Sequence, residues 1–450
     1  MIRKLLVANR GEIACRVIRT AKKLGIKTVA VHSEADAKAP HVEMADESVL
    51  IGPPPPPQSY LNTAAILEAA RRTGADGVHP GYGFLSENGD FVHAVRGAGL
   101  VFVGPEADAM HQMGDKGVAR RIVQAAGVPT VPGSAGIVQT ADDAKLEADR
   151  IGYPVLLKAA AGGGGIGMTL VKSGDEIVKA FESSSSRAQK AFGDGSLYIE
   201  KFIENPHHIE VQVFGDTHGS VIHLFERECS VQRRHQKIIE ETPAPLLIGR
   251  NDVLGKIFDA AVLAAKAVNY TNAGTIEFIA DEKGNFYFIE MNTRLQVEHP
   301  VTEAVTGLDL VEWQLRVAVG ERLPLAQSEV KRSGAAVECR ICAENPAKNF
   351  FPAPGKIDEL VWGDGMRVDT GVRAGSEITP FYDPMVAKVI GHGATRSEAI
   401  DRLSAALDKT VIKPLQTNLN LHRHVLREDR FRAGKYDTNY LATLDLKQLA

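Results

Sequence analysis

The sequence predicts an α/β protein whose N-terminal part forms a doubly wound, parallel β-sheet. Three observations support this fold class. Strand and helix patterns alternate over the first hundred residues, a β-hairpin pattern occupies residues 275–290, and a glycine run at residues 162–167 stands between two strand patterns. Alternating strands and helices build a parallel sheet that carries helices on its faces.

The N-terminal strands are short apolar runs, and the segments between them have the periodicity of amphipathic helices. The predicted strands cover residues 5–8, 28–31, 77–79 and 100–103, and the predicted helices cover residues 12–24, 62–73 and 91–98. Sheets of this kind bind ligands beyond the carboxyl ends of their strands. The loops at residues 9–12 and 79–87 are therefore expected at a ligand site, although neither contains the GxGxxG pattern of dinucleotide-binding proteins.

Composition indicates an ordinary globular protein. The chain has 450 residues, of which 44% are hydrophobic and 24% charged, and its net charge of −4 gives no reason to expect binding to nucleic acid or to anionic lipid. The absence of a long apolar window predicts no membrane span, and the N-terminal apolar run is too short for a signal peptide. Four cysteines do not form a disulfide framework. A cytoplasmic location is therefore expected.

The remainder of the chain divides into further α/β segments. Helical patterns at 115–126 lead to a module at 131–203, an α/β region runs to about residue 320, and the last region combines strands at 335–342 and 385–390 with a helix at 397–407. Cys339 and Cys342 fall within the strand pattern at 335–342, and no second pair of ligands stands at zinc spacing. They are interpreted as strand residues rather than metal ligands.

Polar residues alternate with apolar ones at residues 290–298. Alternate side chains of an extended chain lie on one face, so this segment would present carboxylate, amide and guanidinium groups together. The residues concerned are Glu290, Asn292, Arg294, Gln296 and Glu298. A solvated edge strand is the alternative interpretation.

The segment just upstream favours a functional site. Runs of β-branched and aromatic residues at 275–280 and 286–290 predict a mostly buried hairpin in which Glu277 lies opposite Glu290. Two buried carboxylates that face each other are destabilising unless a cation lies between them. Glu277, Glu290 and Asn292 are therefore predicted to bind Mg²⁺ or Mn²⁺, which prefer oxygen ligands; a structural carboxylate pair is the alternative.

The glycine run formally matches GxGxxG, but a strand pattern at 168–171 follows it where a dinucleotide fold requires a helix. No Gly-Lys-Ser or Gly-Lys-Thr follows it, which excludes a P-loop. Glycines between two strands predict a mobile flap whose backbone N–H groups close over phosphate, with Lys158 as a nearby cation.

Three further segments are candidates for binding. Main-chain groups at 198–203 could hydrogen-bond an adenine edge. The alternation at 208–213 puts His208, Glu210 and Gln212 on one face, for which a solvent-facing strand is slightly favoured. The cationic segment at 227–237 indicates an anion site.

Together these residues resemble the biotin carboxylases of the ATP-grasp superfamily, over about residues 2 to 445. The most specific motifs are the runs at 8–14, 79–87, 232–237 and 290–302. The resemblance implies a homodimer with three parts in each chain. They are an N-terminal doubly wound domain (1–113), an ATP-grasp core (114–330) with a mobile glycine-rich lid (about 131–203), and a C-terminal α+β domain (331–447).

The resemblance also implies the reaction. ATP and bicarbonate, with Mg²⁺ or Mn²⁺ ions, give carboxyphosphate, and the N1′ atom of biotin is then carboxylated. The implied ATP ligands are Lys116, Lys158, Gly163, Gly164, Gly165, Glu200, Lys201, Phe202, Ile203, His208, Gln232, His235, Glu277 and Glu290. The implied bicarbonate ligands are Lys237, Arg294, Gln296, Val297 and Glu298. Glu298 would act as the base, and Tyr82 and Arg340 would contact biotin, with Arg340 stabilising its enolate.

The chain departs from the family pattern in the glycine run and in the strand pattern that follows it. Family lids usually carry Arg or Lys where this chain has Ile166, and often Arg where it has Thr169. Weaker nucleotide affinity or slower lid closure is therefore expected, with the chemistry retained.

The chain lacks a Met-Lys-Met biotinylation motif. A separate biotin carboxyl carrier and a carboxyltransferase subunit are therefore expected as partners. Two alternatives stay open: another ATP-grasp ligase that activates a different carboxylate, and a scaffold that binds nucleotide with weak activity.

Overall fold

The computed structural model describes residues 1–159, 168–192, 194–234 and 236–449. These residues form two compact units. The main unit contains Met1–Val128, His207–Phe278 and Glu290–Ala450, and the small unit contains Pro129–Pro206 and Ile279–Ile289. No helix in the described ranges is both long and apolar enough to cross a lipid bilayer.

The N-terminal part of the main unit alternates strands and helices, as predicted. In chain order they are β1 (Lys4–Val7), α1 (Gly11–Lys23), β2 (Lys27–Ser33), α2 (Pro40–Met44), β3 (Glu47–Gly52), α3 (Thr63–Thr73), β4 (Gly77–His79), α4 (Gly89–Gly97), β5 (Val101–Phe102), α5 (Ala107–Gly114) and α6 (Lys116–Ala125). The strands pair in parallel in the order β3-β2-β1-β4-β5. The order reverses between β1 and β4, so the loops after these strands lie where such sheets bind ligands.

Asparagine caps set the starts of two of these helices. Asn62 and Asn88 accept hydrogen bonds from the backbone N–H groups of Ala65 and Phe91, so α3 and α4 begin directly after the asparagines. The predicted start of α4 at residue 91 is therefore late, because the cap lies before the first apolar residue of the helix. The prediction also omitted the edge strand β3, whose residues are partly exposed.

The small unit is built on an antiparallel sheet. Its helices and strands are α7 (Ala141–Ile151), β6 (Val155–Ala159), β7 (Met168–Val171), α8 (Ile177–Phe192) and β8 (Leu197–Lys201). The sheet order is β7-β6-β8, and Lys158 pairs with Met168. This pairing confirms the predicted strands on both sides of the glycine run. The glycines themselves and Ile166 lie outside the described residues.

The remaining helices and strands are organised around a large sheet. The elements are β9 (His207–Gly215), β10 (Val221–Arg233), β11 (Gln236–Thr242), α9 (Asn251–Lys266), β12 (Asn272–Ala280), β13 (Phe286–Asn292), α10 (His299–Thr306), α11 (Leu310–Ala318), β14 (Ala335–Cys342), β15 (Glu344–Asn345), β16 (Phe351–Pro352), β17 (Gly355–Lys356), β18 (Glu359–Val361), β19 (Arg367–Thr370), β20 (Glu377–Ile378), β21 (Met385–Gly393), α12 (Arg396–Lys409), β22 (Val411–Lys413), α13 (Leu419–Val425) and α14 (Asp429–Arg432). The large sheet has the order β13-β12-β9-β10-β11-β14-β21-β19. Cys339 and Cys342 are free, buried residues of β14, which confirms their interpretation as strand residues.

Two expectations about strands are wrong. The polar face of β9 is not exposed to solvent, because Glu210 and Gln212 are fully buried. The polar alternation at 290–298 is not one extended strand, because β13 ends at Asn292 and Glu298 is the N-cap of α10. The hairpin is only partly as predicted: β12 is buried almost throughout, whereas Ile289 of β13 is exposed.

Candidate active site

Lys237 on β11 lies at the centre of a buried group of glutamates, called here the Lys237 cluster. Its ammonium group donates hydrogen bonds to Glu210 Oε2 (2.6 Å), Glu277 Oε1 (2.8 Å) and Glu298 Oε1 (2.6 Å). Burial opposes the charge on Lys237, but the three carboxylates raise its pKa well above the ordinary lysine value. The ammonium group therefore stays protonated.

A second buried cation completes the cluster on the side of Glu210. Arg227 is fully buried and pairs with Glu210. It also donates hydrogen bonds to Gln212 Oε1 (2.8 Å), Thr302 Oγ1 (3.0 Å) and Thr275 Oγ1 (3.1 Å). Glu210 and Gln212 point inward because Arg227 requires partners. The alternating sequence around them gave no indication of which face is buried.

Glu298 lies between Lys237 and Arg340. Arg340 Nη2 donates to Glu298 Oε2 at 2.9 Å, and the Glu298 side chain is fully buried. Burial alone would raise the pKa of Glu298, but Lys237, Arg340 and Arg227 lower it well below the usual range. The carboxylate is thus ionised and faces cations on two sides.

Two further buried glutamates, which sequence reasoning missed, lie behind Arg340. Glu240 Oε1 accepts a hydrogen bond from Arg340 Nε at 2.5 Å, and Glu240 is the cross-strand neighbour of Glu338. Glu240 Oε2 and both carboxylate oxygens of Glu338 have no hydrogen-bond partner among the described residues. Burial raises the pKa of Glu240 to about 7 and that of Glu338 well above its ordinary value. The sequence did contain a signal for these two residues, because each is a carboxylate inside an apolar strand pattern.

Arg294 is anchored by the loop after β4. Its Nε donates to Glu87 Oε2 at 2.9 Å, and the backbone N–H of Thr293 donates to Glu87 Oε1 at 3.0 Å. Its other nitrogens donate to Gln296 Oε1 (2.7 Å) and Asn292 Oδ1 (2.9 Å). The polar residues of this segment thus do converge, although through a turn instead of a strand. Glu87 belongs to the motif at 79–87 but was not predicted as a site residue.

The structure brings together two of the three predicted metal ligands. Asn292 Nδ2 donates to Glu277 Oε1 at 2.9 Å, while His208 Nε2 lies 3.0 Å from Glu277 Oε2. Burial of the His208 ring opposes protonation, but Glu277 raises the pKa of this histidine. Glu290 is 39% exposed at its side chain, and its Oε2 lies 3.5 Å from Lys116 Nζ. Carboxylate and amide oxygens are the donors that Mg²⁺ takes, so the chemistry of this set fits that ion.

The predicted biotin contact Tyr82 adjoins a buried lysine. The Tyr82 hydroxyl donates to Glu12, and Lys388 Nζ lies 3.0 Å from Glu12 Oε1. Lys388 also donates to the carbonyl oxygen of Val297 at 2.8 Å. Lys388 is fully buried and was not predicted as part of the site.

The predicted nucleotide ligands are distributed over both units. In the main unit, the Lys116 side chain is 83% exposed, and Gln232 is buried with an Oε1 atom that has no partner among the described residues. In the small unit, Lys158 pairs with Glu200. The backbone N–H groups of Lys201 and Phe202 donate to Pro132 O (2.7 Å) and Pro154 O (3.0 Å), and Ile203 follows them. Gly163, Gly164, Gly165 and His235 lie outside the described residues.

Family models match the chain along most of its length. The biotin carboxylase N-terminal domain matches residues 1–110, the ATP-binding domain of the carbamoyl-phosphate synthase L chain matches residues 115–326, and the biotin carboxylase C-terminal domain matches residues 338–443.

Individual relatives are about half identical to the chain. Biotin carboxylase 1 of Bacillus subtilis is 50% identical over 99% of this chain and 99% of its own length. The alpha subunit of mitochondrial methylcrotonoyl-CoA carboxylase from Glycine max is 53% identical over 98% of this chain, which spans only 60% of that relative. Among solved structures, the biotin carboxylase domain dimer of Hydrogenobacter thermophilus 2-oxoglutarate carboxylase, in complex with MgADP, ADP and bicarbonate, has a TM-score of 0.86 and 49% identity, covering 98% of this chain and 97% of that one.

The fold is therefore that of an ATP-grasp protein with an N-terminal parallel-sheet domain. Within that class, the identity and coverage are decisive: the chain belongs to the biotin carboxylase family.

Proposed function

We propose that the chain uses ATP and bicarbonate to carboxylate biotin. Bicarbonate loses its proton and attacks the γ-phosphorus of ATP, which gives carboxyphosphate and ADP. The carboxyl group then passes to the N1′ atom of biotin, and inorganic phosphate leaves with the proton that N1′ gives up. The observation that carries this proposal is the buried Glu298 carboxylate between Lys237 and Arg340.

Glu298 is the proposed base. Bicarbonate is a poor nucleophile until its proton is removed, and a base must be unprotonated to remove it. The low pKa of Glu298, caused by its neighbouring cations, keeps the carboxylate ionised at neutral pH. Bicarbonate itself is a planar oxyanion, so the guanidinium of Arg294 suits it as a ligand, together with Lys237, Gln296 and the backbone of Val297.

The proposed nucleotide ligands are those that the family pattern implies. Lys116, Lys158, His208, Gln232 and the segment of Glu200, Lys201, Phe202 and Ile203 are the proposed ligands within the described residues, with Gly163–165 and His235 beside them in the chain. Glu277, Glu290 and Asn292 would hold Mg²⁺ or Mn²⁺. When bound, such an ion neutralises phosphate charge, which is the main requirement of phosphoryl transfer.

Arg340 is the proposed stabiliser of the biotin enolate, and Tyr82 a further biotin contact. Deprotonated biotin carries negative charge on its ureido oxygen, which a guanidinium group stabilises. Glu240 and Glu298 hold Arg340 from two sides. These contacts fix the guanidinium before substrate arrives.

Partners and assembly are also proposals. A biotin carboxyl carrier protein would present biotin, a carboxyltransferase subunit would use the product, and two copies of the chain would form a homodimer. The proposal also divides the chain into three parts, with boundaries after residues 113 and 330. Analytical ultracentrifugation of the purified chain tests the dimer: a single species with the mass of one chain would contradict it.

The decisive experiment measures phosphate release from ATP with Mg²⁺ and bicarbonate, with and without free biotin. The wild-type chain should release phosphate faster when biotin is added. Glu298→Gln should abolish this release, while Glu359→Gln, a change at an exposed glutamate that pairs with Lys413 at 3.7 Å, should leave it unchanged.

Two results would contradict the proposal. Turnover that needs bicarbonate but ignores biotin indicates a ligase for a different acceptor. Nucleotide binding without any turnover indicates a scaffold.

A further inference from the structure

A second group of metal-type side chains lies on α4 and α5, outside the candidate active site. Asp90 and His93 belong to α4, Asp108 and His111 belong to α5, and each pair has the spacing Asp-x-x-His. Side chains three residues apart lie on the same face of a helix. One ligand atom each from His93, Asp108 and His111 lies within 4.8 Å of the others, and His111 Nε2 is 3.8 Å from Asp90 Oδ1.

The two helices are held in place by their opposite faces. Phe91, Val92 and Val95 of α4 and Met110 of α5 are buried in one hydrophobic cluster of the parallel-sheet region. The ion pair between Arg96 and Glu106, with Arg96 Nη2 2.7 Å from Glu106 Oε1, adds a link between the end of α4 and the residue before α5. The backbone that carries the four side chains is therefore fixed, and only exposed side chains need to rotate to bind an ion.

Gly89 provides the space that His111 occupies. A Cβ atom at this position would lie 2.3 Å from His111 Nε2, so the ring rests directly on the first residue of α4. The rings of His93 and His111 have their centroids 6.1 Å apart. An ion that binds one nitrogen of each ring at about 2.1 Å fits between them after small rotations.

We propose that Asp90, His93, Asp108 and His111 form a site for a divalent transition-metal ion such as Zn²⁺. Two imidazoles and two carboxylates are a donor set that Zn²⁺ accepts in tetrahedral geometry, and the two carboxylates balance the charge of the ion. The set differs from the active-site ligands, whose oxygen atoms favour Mg²⁺ or Mn²⁺.

An ion bound there joins α4 to α5. The loop that ends in Glu87 leads directly into α4, and Lys116 follows α5 closely, so the ion also connects the segments that carry these two residues. Because the site exists only in the folded chain, binding stabilises the fold.

The test is Zn²⁺ binding by the full, untagged chain, measured by isothermal titration calorimetry with Mg²⁺ in excess. The variants are His93→Asn and His111→Asn, with His424→Asn, an exposed histidine of α13, as the matched control. Each ligand variant should lose about tenfold or more in Zn²⁺ affinity at one site, and the control should behave like the wild type. Zn²⁺ should raise the Tm of the wild type and of His424→Asn but not that of His111→Asn, and the Tm without metal should be the same in all of them.

Three outcomes would overturn the proposal. One is wild-type affinity in both ligand variants. Another is an equal loss in His424→Asn, which indicates adventitious binding to surface histidines. The third is a Zn²⁺ effect on Tm that persists in His111→Asn.

Discussion

Arg227 illustrates how single residues determine the properties of this site. Its guanidinium is fully buried, pairs with Glu210 and is hydrogen-bonded on its remaining nitrogens by Gln212, Thr275 and Thr302. A buried charge is tolerated only when its partners are buried with it. The same reasoning applies to Lys237, whose ammonium group donates to three buried carboxylates.

Replacing Arg227 by Met should therefore lower the free energy of unfolding of the chain. The change leaves Glu210 with one cation fewer in a buried site, and loss of one partner of a buried ion pair costs about 3–5 kcal/mol. The free energy of unfolding in urea measures the effect. Arg71→Met, which removes an exposed ion pair with Glu68, should cost less than about 1 kcal/mol. Equal effects of the two substitutions would contradict this explanation.

Glu240 should make stability depend on pH. Burial raises the pKa of Glu240 to about 7 from an ordinary value of 4.5. A group whose pKa is raised by folding contributes stability that is complete below the unfolded pKa and is lost as the pH rises through the folded pKa. The contribution of Glu240 should thus fall by about 3 kcal/mol between pH 4.5 and a pH above 7.

Comparison with Glu240→Gln isolates this contribution, because other titrating groups are common to both proteins. Urea unfolding at a series of pH values gives the difference in the free energy of unfolding between the two proteins. The wild type should lose stability relative to the variant as the pH rises. A difference that is constant with pH would show that Glu240 does not titrate in this range.

At the scale of secondary-structure elements, the loop between β4 and α4 connects the parallel sheet to Arg294. Asn9, two residues after β1, donates through Nδ2 to Pro80 O (2.7 Å) and Tyr82 O (2.8 Å), which fixes the start of the loop. Its end carries Glu87, which holds Arg294. The N-terminal sheet thus helps to position a proposed bicarbonate ligand.

Glu87→Gln should weaken bicarbonate binding selectively. The substitution removes the charge that orients Arg294, so the KM for bicarbonate should rise about tenfold, whereas the KM for ATP should change little. Steady-state kinetics at varied bicarbonate and at varied ATP concentrations measure the two KM values separately. Glu68→Gln, at an exposed surface pair, is the matched control. A parallel rise in both KM values would indicate a general disturbance of the fold.

Much of the fold could be predicted from local patterns, and the errors have physical causes. The parallel sheet and the strands around the glycine run were predicted because each is a short-range periodicity. The burial of β9 was predicted wrongly because Arg227, on the neighbouring strand, supplies the partner that makes inward carboxylates tolerable. Glu240 and Glu338 were missed because each becomes significant only through its cross-strand neighbour. Pairing of distant strands is not encoded in any local pattern.

At the scale of the whole molecule, the two units have separate cores. The small unit buries Val155, Leu157, Phe181 and Leu197 in one cluster. The main unit has larger clusters, one of which packs α12 and its residue Leu403 against the large sheet. Units with separate cores can unfold in separate steps.

Leu157→Ala should therefore destabilise the small unit specifically. Truncation of a fully buried leucine costs about 2–5 kcal/mol, and only the contacts within its own cluster are lost. Differential scanning calorimetry should show a transition that moves to lower temperature in Leu157→Ala while another keeps its position. In Leu403→Ala, the transition that moves to lower temperature should be the other one, and the transition of the small unit should keep its position. A single transition that shifts equally in both variants would show that the two cores unfold together.

The hydrogen bonds of Lys237 couple substrate arrival to reactivity. An ammonium group has three N–H donors, and here each one is engaged by a different glutamate. An oxyanion can bind Lys237 only by displacing one of these carboxylates. If the displaced group is Glu298, it loses its contact with Lys237, the cation that lowers its pKa most. Glu298 then becomes a better proton acceptor at the moment when bicarbonate brings its proton. Without substrate, the base is thus held in a weakly basic state, and the arrival of the substrate itself ends that state.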